Sequence, residues 1–313
     1  VIRRRTLLLA GPAVLAGCVT GYRGPAAKLA IGAGEQGGLY LEFAQLLAHE
    51  ITAAVPGLAC TVVPTAGSLD NAALLTAGRA QLGLMLADAA LAVTHGQAPF
   101  ATRQPLTALG RVYENYLQLI VRGDGPVRTV SDLAGRVCSV GAAGSGAALV
   151  GDRLLAVASL AAPPRIEHHA LADAVAGLED GTVDAMLWSG GVPTPLVAEL
   201  DARIGIRLLA LDWALPALRG RYGAVYDTIR VPPGAYRAVR DLPTIGVANL
   251  LVCRPDLPAG IADAVTTVLV TRADRLVPQQ ALGTQFLDIR AVIDTAGLAL
   301  HPGAIAAYRR LHG

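Results

Sequence analysis

Apolar and polar positions along this chain follow two rhythms. The apolar run Leu29-Ala30-Ile31 gives way to the glycine-rich loop Gly32–Gly38, and apolar residues then fall at Leu39, Phe43, Leu46, Leu47 and Ile51. The first run predicts a buried strand, and the second spacing predicts a one-faced helix. A second strand around Cys60–Val63 leads through Thr65-Ala66-Gly67-Ser68 into another helix, with Ser68 placed to cap it and Gly78 to stop it. Leu82–Leu86 reads as a buried strand that delivers Asp88 at its carboxyl end. Strands alternating with helices predict an α/β fold with a largely parallel sheet covered by helices.

The same order returns further on. Arg136–Val140 is a predicted strand, Gly141–Gly146 a glycine-rich loop and Ala147–Ala158 a helix, while Leu178–Ala185 passes through Gly181 into the strand Met186–Trp188. That last passage echoes Leu75–Leu82, with Gly181 in the place of Gly78. Two similar α/β lobes follow. Leu106–Arg122, two extended apolar runs, and Thr244–Val252 are the candidate crossings between them, and the helices from Ile261 to Leu311 belong with the first lobe. The expected organisation is residues 28–115 for the first part of lobe 1, 116–246 for lobe 2, and 247–313 for the return strand and the C-terminal helices of lobe 1. Ligands of open α/β sheets bind beyond the carboxyl ends of the strands. Facing lobes therefore set Gly32–Gly38, Thr65–Ser68 and Asp88 opposite Gly141–Gly146 and Trp188–Gly191.

The first residues change the charge balance. Arg3-Arg4-Arg5, an apolar run from Leu7 to Leu15 and then Leu15-Ala16-Gly17-Cys18 have the form of a lipoprotein export signal. Residues 1–17 are read as a signal peptide, Cys18 as the acylated residue and 18–27 as a tether. Removing the leader leaves 23 basic against 24 acidic residues, so no basic stripe remains for phosphates and nucleic acid is not an expected partner. Cys60, Cys138 and Cys253 lie in apolar runs, where free cysteine behaves as a small hydrophobe.

The ordered blocks resemble the TAXI-type solute-binding proteins of TRAP transporters. The resemblance rests on Ile31–Tyr40, on Thr65–Ser68 with Asn71, on Leu82–Asp88 and on Asp132–Gly135 leading to Gly144-Ser145-Gly146. It continues in Gly181–Ala185 with Gly191 and Pro193, and in Val231–Tyr236 before Pro243-Thr244. It implies a two-lobed periplasmic-binding-protein fold of the type with two crossing strands. It also implies a membrane permease as partner, an exported, periplasmic location, and an acidic amino acid, dicarboxylate or keto acid as ligand. Ala147 stands where the family has threonine, Leu86 and Ala87 where it has polar residues, and Ala235 where it has threonine, so hydroxyl donors are fewer here.

Each candidate ligand contact has a structural alternative. Gly144-Ser145-Gly146, with Ala147 behind it, opens a helix whose free N–H groups and dipole favour a carboxylate, or Ser145 simply caps that helix. Gly37, Gly38 and Tyr40 either close over a ligand or pack at the lobe edge. Thr65 and Ser68 have capping as their alternative, as does Asp88. Trp188 walls the pocket or packs in the core, with Gly191 beside it, and Glu35 balances a ligand cation or sits in water. His168-His169 lacks a second ligand at metal spacing, Ala143–Ala147 lacks the glycines of a nucleophile elbow, and the Gly32–Gly38 loop is a poor dinucleotide fingerprint. The expectation is a solute receptor with no metal, cofactor or catalytic residue. The alternatives are a receptor that feeds a signalling partner, and an enzyme on the same scaffold.

Overall fold

The computed structural model describes residues 21–279 and 291–312, so the leader and Cys18 lie outside the described residues. The chain begins β1 (Ala27–Gly32), α1 (Leu39–Ala54), β2 (Leu58–Val63), α2 (Ser68–Thr76), β3 (Leu82–Leu86) and α3 (Ala87–His95). β2, β1 and β3 pair in parallel, as alternating strands and helices require. Then comes β4 (Thr107–Arg122), one continuous strand where two apolar runs were expected. The second lobe follows with β5 (Val137–Ser139), α4 (Gly146–Val157), β6 (Arg165–Glu167), α5 (Leu171–Asp180), β7 (Ala185–Gly190) and α6 (Pro195–Ile204). β8 (Ile206–Leu209), α7 (Leu215–Tyr222), β9 (Tyr226–Val231), β10 (Leu242–Cys253), α8 (Ala259–Thr271) and α9 (Pro302–His312) complete the order.

Among the described residues the strands form one curled sheet in the order β2-β1-β3-β10-β4-β7-β5-β6, with β8 beside β4 and β9 beside β10. β4 and β10 are its long antiparallel centre and serve both lobes. β10 pairs with β9 through Val247 and with β3 from Asn249 onward, so the changeover falls at Ala248, whose partner on β4 is Glu114. This is the two-lobed fold with two crossing strands. α8 and α9 join α1 in one apolar cluster with Ile31, Phe43 and Val265, and Tyr308 on α9 donates to the Leu109 carbonyl of β4 at 2.7 Å. A second cluster runs across the interface, joining Leu86 and Ala89 to Val150 and Tyr226.

One local expectation needs correction. Ser68 is the first residue of α2 and does not cap it; Gly67 holds that position at φ +135°, and the Ser68 hydroxyl instead accepts from the Leu86 amide at 3.0 Å. His168 and His169 follow β6 and do not lie on a strand. No helix of the described residues is long and apolar enough to cross a membrane.

Candidate functional site

Three helices start at the same recess. Gly34, Glu35 and Gly38 lead into α1, Ala66-Gly67 into α2 and Ser145 into α4, and all of these residues line one hollow between the lobes. The cavity volume of the hollow is ≈ 40 Å³, far below the usual range for small-molecule pockets, so the lobes must part to admit a solute. The two lobes meet closely here. A Cβ on Gly67 would lie 3.4 Å from Ser145 Cα, and one on Gly146 would lie 2.6 Å from both Leu86 Cδ1 and Ser68 Oγ. A larger residue at Gly146 would push the loops apart, whereas at Gly67 it is the positive φ that resists a side chain.

The first turn of any α-helix leaves N–H groups without intrahelical acceptors and carries the positive end of the helix dipole. Part of that capacity is used within the protein. Ser145 caps α4 by accepting from the Ala148 amide at 2.9 Å, so the capping role expected as one alternative is present. Leu69 and Asp70 both donate their amides to the Gly144 carbonyl across the interface, at 3.0 and 3.1 Å. The amides of Ser68, Gly146 and Ala147 have no acceptor among the described residues. Three helix starts face the recess, and its wall holds no arginine or lysine but one carboxylate, Glu35, so any attraction for an anion comes from the main chain.

A chain of side chains lies beneath. Tyr40 donates to Asn249 Oδ1, Asn249 donates to Asn115 Oδ1 at 2.8 Å, and Asn115 donates to the Ser189 carbonyl at 3.1 Å and hydroxyl at 3.2 Å. Burial raises the Tyr40 pKa, so its hydroxyl keeps its proton. Trp188 gives one apolar wall, but its indole N–H is committed to Thr194 Oγ1 at 3.0 Å and is not free for a ligand. The Thr194 hydroxyl in turn donates to the Gly191 carbonyl at 2.7 Å, and the Thr194 amide donates to the Tyr236 hydroxyl at 3.0 Å. The ring is therefore locked before any solute arrives.

Of the candidates from the sequence, Glu35, Gly38, Tyr40, Ser68, Ser145, Gly146, Ala147 and Trp188 line the recess. Gly37 packs against Leu196 and Leu171 of the second lobe. Thr65 turns inward, donating to Asn71 Oδ1 at 2.8 Å and accepting from the Gly67 amide at 3.1 Å. Gly191 offers its carbonyl to Thr194 and Gln118.

Asp88 is also outside the lining, because it sits inside the first turn of α3 and already has a partner. One carboxylate oxygen accepts from Arg153 of α4 at 3.0 Å and from the Tyr226 hydroxyl at 2.9 Å, and the other accepts from the Ala89 amide at 2.8 Å. Arg153 also donates to Tyr226 at 2.9 Å and lies over the Tyr222 ring, 4.6 Å from its centroid. Burial pushes the Asp88 carboxyl upward against the pull of Arg153, while at Arg153 burial pushes down but is overcome by Asp88, Tyr226 and Tyr222 together, which raise its pKa.

Asn115, Asn249, Ser189 and Arg153 were missed in the sequence. The asparagines carried a signal, since an amide inside an apolar strand such as Val247-Ala248-Asn249-Leu250 must find buried partners. Arg153 carried none, because its partner is 65 residues away.

The fold recurs in solved structures. A protein of Bordetella bronchiseptica RB50 is 17% identical, with 92% of this chain and 98% of that one covered and a TM-score of 0.59. The periplasmic binding protein BugD is 16% identical, covers 91% of this chain and 95% of its own, and has a TM-score of 0.57. The architecture is thus that of the periplasmic binding proteins. The model of the NMT1-like family matches residues 31–310, and the chain belongs to that family.

Proposed function

We propose that this chain is an extracytoplasmic receptor that holds a small organic anion between its lobes and hands it to a TRAP-type membrane permease. The anion is an acidic amino acid, a dicarboxylate or a keto acid. The convergence of the α1, α2 and α4 starts on one recess carries the reading. Each helix start favours a negative group by roughly 0.3–1 kcal/mol at the surface and more when partly buried. Hydrogen bonds from the unused amides of Gly146 and Ala147 would add to that field. Since the wall has no cationic side chain, a compact carboxylate suits it better than a highly charged group.

The TAXI-type blocks in the sequence support the choice of permease. The lobe boundaries that go with this reading are 28–115, 116–246 and 247–313, with Cys18 acylated and the protein anchored by lipid in the periplasm. No chemistry is assigned to the chain. Glu35, the carboxylate in the recess wall, is bonded to a main-chain amide, and the wall holds no histidine or cysteine among the described residues.

Thermal unfolding with glutamate, aspartate, succinate, malate, 2-oxoglutarate and pyruvate tests the reading. A bound member at one hundred times its Kd stabilises the folded state by about 2.7 kcal/mol and raises Tm. The compound should be recovered unchanged. No rise with any member, or recovery of a converted product, would contradict the proposal.

A further inference from the structure

Helix α5 of the second lobe begins without a cap of its own. The residue before it is Ala170, whose side chain has no acceptor, and no side chain of its own lobe bonds its first amides. The acceptor comes from the other lobe. Glu35, in the loop between β1 and α1, places Oε2 at 2.6 Å from the Leu171 amide. Leu171 is buried, and Gly37, two residues beyond Glu35, is tight against the same surface, with a Cβ there lying 3.0 Å from Leu196 Cδ1. The Glu35 loop and the start of α5 are therefore one docked unit made from two lobes. Glu35 also lines the recess.

We propose that Glu35 is the closure latch: a first-lobe carboxylate that caps a second-lobe helix when the lobes are shut and returns to water when they part. Its purpose rests on the receptor reading above, since a group that faces the recess and grips the opposite lobe links solute occupancy to closure. The chemistry suits a reversible contact. A carboxylate at a helix start gains a charge-assisted hydrogen bond and the dipole, yet has no cationic partner to strand when it leaves. Burial pushes the Glu35 pKa up, the Leu171 amide pulls it down and Asp173 pushes it up again, so the closed seat is not a deep trap for the charged form. A ligand that fills the recess adds what the latch alone withholds.

A local cap and a latch differ in how far their loss is felt. Besides the Asp88 seat on Arg153 and Tyr226, the amides of Leu69 and Asp70 make a further interlobe contact, to the Gly144 carbonyl, and belong to a different loop. Hydrogen exchange on the full-length protein in detergent, with no solute added, separates the two. In Glu35→Ala the amides of Leu171, Leu69 and Asp70 should all exchange at least tenfold faster, while those of β1 keep wild-type protection and report an intact fold. Glu35→Gln, which keeps an acceptor, should lie between. Adding Ala170→Asp to Glu35→Ala gives α5 a cap of its own and should restore Leu171 alone. Faster exchange confined to the first turn of α5, or restoration at all three sites by Ala170→Asp, would overturn the latch. Neither outcome touches the receptor reading, which the solute panel tests separately.

Discussion

Two carboxylates cross the interface between the lobes, and their surroundings differ. Asp88 is sealed, with its side chain 0% exposed against Arg153 at 7%, and each oxygen is bonded. Glu35 lies half-buried at the recess and holds a single amide. A sealed ion pair gains little over apolar packing, because desolvation offsets the attraction, but removing one partner leaves a buried charge alone. The Asp88 seat therefore fixes how the lobes register. The Glu35 seat can open without leaving such a charge. Rigidity belongs beside the junction of β3 with β10, and exchange belongs at the recess.

The sharpest break in this comparison is at Asp88. Asp88→Ala should destabilise the protein by about 3–5 kcal/mol in urea unfolding, because Arg153 is left buried and unpaired. Replacing both members, Asp88→Leu with Arg153→Met, should recover much of that loss. A double variant as unstable as the single one would show that the seat is held by something other than the pair.

Glu114 offers an intermediate case. It pairs with Arg111 at the changeover on β4, but its Oε1 is buried without a partner, and Asp227 and Asp294 face it from β9 and the C-terminal segment. Burial, opposed by Arg111, pushes its pKa up to about 7. The folded state thus favours the protonated acid. The associated stability is complete below the ordinary carboxylate range and is lost as pH rises through about 7. Between about pH 4 and about pH 8 the wild type should lose on the order of 3 kcal/mol relative to Glu114→Gln. Parallel urea midpoints for the two proteins across that range would remove the assignment.

Smallest in stability is the cap at the recess. Ser145→Ala removes the acceptor for the Ala148 amide and should cost about 1 kcal/mol. Ligand affinity should fall as well, since the start of α4 loses its set geometry. An unchanged solute Kd in a variant with the expected stability loss would confine Ser145 to capping.

The alternating apolar runs made most of the fold legible, because strand and helix periods differ and glycines punctuate them. β4 and β10 were recognised as crossings, and α1 and α4 begin within a few residues of where the pattern put them. The recess was legible to the extent that glycine-rich loops open helices. Gly38, Tyr40, Ser145 and Gly146, more than a hundred residues apart along the chain, meet in it. Asp88 was misread because a carboxylate after a buried strand looks the same whether it faces a solute or an arginine from another lobe. Ser68 was misread because a serine before a helical run suggests a cap, whereas the positive φ of Gly67 takes the turn one residue earlier. β8 and β9 are short edge elements whose pairing is set by β4 and β10, and no local period announces them.

The central claim is that main-chain amides at three helix starts hold the solute. Its most direct test follows amide nitrogen and proton shifts while the panel compound with the largest Tm rise is titrated in. The account predicts saturable downfield shifts at Tyr40, Ser68, Gly146 and Ala147, with one shared Kd. Shifts confined to the wider hollow beside Arg221 and Tyr222, with these four amides unmoved, would contradict it.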